Sequence, residues 1–63
     1  MKPSIGRVVH YKDELTSNAA LVIDVHDDET VDLQVFYSDG DICHSTNVKQ
    51  GDESGQWNWP PRV

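Results

Sequence analysis

The chain has 63 residues, 37% of them apolar, and carries five Lys and Arg against eleven Asp and Glu, a net charge of −6. That length holds one domain, spanning residues 1–63, and excludes an enzyme that brings its own cofactor-binding fold, since independent domains rarely fall below about 50 residues. No apolar run approaches the roughly 18 residues of a membrane helix, residues 1–11 lack the apolar stretch of a signal peptide, and the lone Cys43 allows no internal disulfide, a composition suited to a reducing cytosol.

Strand signals dominate. Gly6-Arg7-Val8-Val9-His10-Tyr11 is β-branched and aromatic, and predicts a first strand entered from Pro3 and Gly6. A polar loop follows over Lys12–Asn18. Ala19 to His26 is a mostly apolar run of eight, the second strand. Asp27-Asp28-Glu29-Thr30 is a tight polar turn. In the third strand, Val31–Tyr37, Val31, Leu33, Val35 and Tyr37 alternate onto one face and Asp32, Gln34 and Phe36 onto the other.

Ser38-Asp39-Gly40-Asp41 then places Asp-Gly between two strands, a hairpin signal matched to a type I′ turn. Ile42–Ser45 predicts a short fourth strand, and Gln50–Gly55 a loop. Gln56–Trp59 predicts a fifth strand that stops at Pro60-Pro61. A single helical turn fits only at Asp13–Ser17 or Thr46–Lys49. Five short strands joined by hairpins bury too little as a flat sheet, so the expected fold is all-β, a small five-stranded antiparallel SH3-like barrel.

The two ends carry a resemblance. Met1-Lys2-Pro3, Gly6-Arg7 and His10-Tyr11 at the start, Ala19–Asp27 in the middle, and Gly55-Gln56-Trp57-Asn58-Trp59-Pro60 at the end resemble a family of small proteins of tailed bacteriophages and prophages. The resemblance covers almost the whole chain in the same order. It implies a phage protein working in the cytoplasm of a bacterial host, and no mechanism, because that family carries no established activity.

Candidate chemistry is sparse. His10, His26, His44 and Cys43, with Asp24, Asp27 and Asp28, are metal-ligand types, but there is no Cys-x-x-Cys or His-x-x-x-His and the histidines fall on three strands. Asp39-Gly40-Asp41 has the look of half a calcium loop without the later acidic ligand. No metal and no cofactor are expected. Cys43 and His44 are strand neighbours pointing to opposite faces, unable to act as thiol and base. Asp27 and Asp28 sit on a solvated turn where their pKa values stay ordinary, and no glycine-rich loop enters a helix. No catalytic residue is expected, and the chain is read as a non-enzyme.

The aromatics say more. Trp57 and Trp59 share a face if extended, and at least one is expected to cap the barrel, since a large aromatic buries about 150–250 Å². Phe36, beside Asp32 and Gln34, either enters a second small core or faces solvent as an anchor. The acidic excess serves solubility or forms a patch that meets a basic partner, as a nucleic-acid mimic would. Five scattered cations are a poor supply for duplex DNA or RNA.

The function expected is a phage accessory module that binds a host or phage protein through an acidic and aromatic surface, with Phe36, Asp32, Asp39, Asp41, Tyr11 and Trp57 as candidate contacts. The alternative is a sponge-like binder of a small ligand or nucleotide at interfaces of a homo-oligomer, where Tyr11 and Trp57 stack a base.

Overall fold

The structure is a computed structural model that describes residues 2–14 and 16–61. Five strands, β1 (Val8–Lys12), β2 (Ser17–Val25), β3 (Thr30–Phe36), β4 (Ile42–Lys49) and β5 (Trp57–Asn58), form one sheet. Their order is β4-β3-β2-β1-β5, and every pairing is antiparallel. The sheet curls into a half-barrel whose ends approach where Gln50 bridges Trp57 and the Gly51 amide donates to the Trp57 carbonyl at 2.9 Å. This is the small SH3-like barrel expected. The described residues contain no helix, and so none long and apolar enough to cross a membrane.

The alternation of β3 sets the inside. Val31, Leu33 and Val35 are buried, and with Val9, Ala20, Val22, Val48 and Trp57 they make the core. Tyr11, Val25, Tyr37 and Trp59 pack on its rim. Trp57 is fully buried, its Nε1–H donates to the Glu29 carbonyl at 2.9 Å, and its ring meets Trp59 edge to face at 5.4 Å. The expected aromatic cap is therefore Trp57, fastened to the β2–β3 turn across the mouth of the sheet.

Several boundaries differ from the expectation. Strand β4 runs to Lys49, so Thr46–Lys49 forms no helical turn. Val48 has to bury itself opposite Val31, and a bulge at Thr46–Asn47, with Asn47 at φ +53°, restores the phase that lets it do so. Strand β2 begins at Ser17 because Tyr11 and Lys12 pair with Asn18 and Ser17, which shortens the expected loop. Between β1 and β2 the Asp13 amide donates to the Thr16 carbonyl. The described residues of 13–17 form no helical turn, and Leu15, on which that expectation also falls, lies outside the described residues. Strand β5 is two residues long, ended by the prolines. In the β3–β4 hairpin only Gly40 has positive φ, at +99°, with its amide on the Tyr37 carbonyl. That makes a three-residue loop ending in a left-handed glycine and not a type I′ turn.

Candidate functional site

The face of the sheet turned away from the core carries exposed apolar side chains. Strand register lays two rows of side chains across it. One row runs Ile42, Phe36, Ala19, His10, Asn58, and the next His44, Gln34, Leu21, Val8. Phe36 is 41% exposed, Ile42 54% and Val8 58%, with Leu21 half-buried beside Val8. The choice left open for Phe36 is thereby settled outward. Sequence alone does not reveal its cross-strand neighbour Ile42 or the exposed Val8 further along the same face, because only cross-strand pairing places them there.

The acidic candidates flank this face. Asp39 and Asp41 are exposed in the hairpin next to Ile42, and the Asp39 Oδ1 accepts the Asp41 amide at 2.9 Å, a bond that shapes the turn. Two candidates lie elsewhere. Tyr11 is half-buried on the inner side, and Trp57 is 0% exposed, so neither Trp57 nor a Tyr11–Trp57 pair offers a face for stacking a base.

Asp32 has the most worked environment. Opposed bulges in β2 and β4 meet at β3, where Asp24 pairs with Asp32 and Thr46–Asn47 straddle it. The Asp32 Oδ1 accepts the Asn47 amide at 2.9 Å and the His26 Nε2–H at 2.8 Å. The Asn47 amide bond, followed by the His26 bond, holds the Asp32 carboxyl below its ordinary pKa. The same contact with Asp32 raises His26 above its usual value, with burial opposing it and Asp24 and Asp27 adding to it. The gain from His26 is present in full below about pH 6.5 and fades as pH rises through its raised folded value. The gain from Asp32 is present above the ordinary carboxylate range and fades as pH falls through its depressed folded value. Stability from the pair therefore peaks between about pH 4 and 6.5. Thermal melts against pH should show this maximum in the wild type and lose its alkaline side in His26→Gln, and an unchanged alkaline limb in that variant would sink the assignment.

Asp24, His26 and Asp32 also bring one ligand atom each to within 4.8 Å of one another, a convergence that sequence spacing did not reveal. His26 uses its Nε2 on Asp32, and the shared Asp32 oxygen also holds Asn47, so the cluster is satisfied as a clamp on the two bulges. A metal would have to displace the His26 proton from an exposed site. Melting curves with and without a strong chelator should coincide, and a drop of many degrees on chelation would show that an ion holds these three residues.

Two grooves lie on the described surface. One of about 400 Å³ lies over the Asp27–Thr30 turn and Lys49. The ordinary pKa expected of Asp27 on this turn does not hold: its carboxyl lies below the ordinary range because it accepts the Glu29 and Thr30 amides. The other, about 250 Å³, lies among His10, Lys12, Asp52, Asn58 and Trp59, and Asn58 is already tied to Asp52 and Gln50. Neither gathers a nucleophile with a base, and Cys43 and His44 fall on opposite faces of β4. No family model, curated protein or solved structure matches the chain.

Proposed function

We propose that the protein is a non-enzymatic binding module whose outer sheet face docks on another protein. The observation that carries this is the exposed Phe36–Ile42 pair, on the same sheet face as the exposed Val8 and next to the hairpin that carries Asp39 and Asp41. Apolar side chains left in water at the centre of a polar rim are the arrangement from which interfaces draw their energy. The acidic flank and the net charge of −6 select a partner with basic residues around an apolar recess.

The resemblance to tailed-phage proteins supports an accessory role in the cytoplasm of a bacterial host, on a host or phage protein. Duplex nucleic acid is not the partner in this account, because the five cations form no run or cluster in the sequence while acids outnumber them.

The experiment is paired affinity capture from phage-infected cells with wild-type and Phe36→Ser baits. A protein held by the wild type, released by salt and missing from the variant supports the proposal. Equal recovery on both baits overturns it.

A further inference from the structure

Strand β4 is an edge. It has β3 on one side, and among the described residues no strand pairs with Ile42–Lys49 on the other. The Tyr37 amide donates to the Asp41 carbonyl at 2.8 Å, which fixes the phase of the β3–β4 ladder. Residues that exchange bonds with β3 alternate from there, so Cys43 and Ser45 address Val35 and Leu33. Ile42, His44 and Thr46 turn their three N–H and three C=O groups to the open side. Soluble proteins guard such edges with charge, proline or a bulge. Ile42-Cys43-His44-Ser45-Thr46 has no proline, no acid and no Lys or Arg, and the bulge comes only at its end, at Thr46–Asn47.

We infer that β4 pairs antiparallel with β4 of a second copy of this chain, about a two-fold axis at His44. In that register the two His44 residues exchange both backbone bonds, and Ile42 of each copy exchanges both with Thr46 of the other. All the open groups are used, the two exposed edges disappear together, and the interface is isologous.

The occupant is a second copy because the window is self-complementary and offers no charge by which to select a foreign strand. The charges that do flank it are complementary under the same axis. Antiparallel pairing carries Lys49 of one copy to the end where the other presents its Asp39–Asp41 hairpin, and both are exposed. Ile42, His44 and Thr46 lie on the outer side with Phe36, so the dimer extends that face across both sheets. The pairing rests on the β4 backbone and holds whether or not the outer face binds a partner.

Native mass across micromolar concentrations should give twice the 7.1 kDa of one chain. His44→Pro removes the central amide donor on the side away from β3, where proline is tolerated. It should keep a wild-type melt at low concentration and weaken the dimer by about tenfold or more, since two symmetric bonds go.

Register is read by Ser45→Cys. Cys43 of one copy then faces the introduced thiol of the other across a non-hydrogen-bonded pair, where Cα atoms lie about 4.5 Å apart, within disulfide reach. Oxidation with diamide, which takes up the two electrons and two protons of each bond, should join position 43 to position 45 between chains. A monomeric wild type at every concentration, a dimer indifferent to His44→Pro, or cross-links joining 43 to 43 or 45 to 45 would each overturn the inference.

Discussion

Trp57→Ala is expected to unfold the protein or bring its melting temperature close to ambient. Trp57 is the largest fully buried side chain, and truncating a core aromatic costs about 3–5 kcal/mol. A chain of this size has about 3–9 kcal/mol in total, so the loss takes from about a third of it to all of it. The indole also supplies a bond that the cavity cannot replace, from its Nε1–H to the Glu29 carbonyl. Trp57→Phe separates the two contributions. Phenylalanine keeps most of the apolar volume, and the Glu29 carbonyl keeps the Gln50 amide, which donates to it at 2.9 Å, so no acceptor is orphaned. That variant should stay folded with a loss of about 1–2 kcal/mol, a drop of roughly 5–15 °C for a domain this small. Calorimetry or circular dichroism on both variants decides the matter. A Trp57→Ala protein that melts within a few degrees of wild type would show that the barrel closes without its cap.

Phe36→Ser is expected to do the reverse. Phe36 is 41% exposed and contacts its neighbours from the solvent side, so its removal should cost no more than about 1 kcal/mol of stability. Partner binding should fall by tenfold to a hundredfold or more, in line with the loss of an aromatic anchor worth about 2 kcal/mol or above at the centre of an interface. Serine suits the site, since β3 keeps its backbone bonds to both neighbours. Melting temperature and binding are measured on the same preparation. If Phe36→Ser unfolds while Trp57→Ala survives, core and interface have been assigned to the wrong sides of the sheet.

The inside and outside of β3 could be read directly, because strict alternation of Val31, Leu33 and Val35 with Asp32, Gln34 and Phe36 leaves one phase that buries the apolar set. The far half of β4 could not. Ser45, Thr46, Asn47 and Lys49 are polar, and what holds them extended is pairing with β3 and the burial of Val48, neither of which is local. The same reason hid the Asp24–His26–Asp32 clamp. Its members converge because two bulges slip the register at one place, and a slip of one residue leaves no mark in composition. Residue type alone offers Tyr11 as a stacking surface, and its position on the inner rim follows from Val9 and Tyr11 sharing a face of β1.

The fastening of Trp57 to Glu29 bears on the order in which the fold is acquired. The β2–β3 and β3–β4 hairpins join neighbours in the chain and need only short loops to close. The indole must instead reach a carbonyl 28 residues back, and β5 must find β1 across nearly the whole sequence. Such distant contacts carry the largest loop-closure entropy and slow the search. Until β5 has left the ribosome, the nascent sheet lacks its largest apolar side chain, and its inner valines face water. Closure of the barrel thus waits on the emergence of Trp57, and until then the sheet is held only by its hairpins.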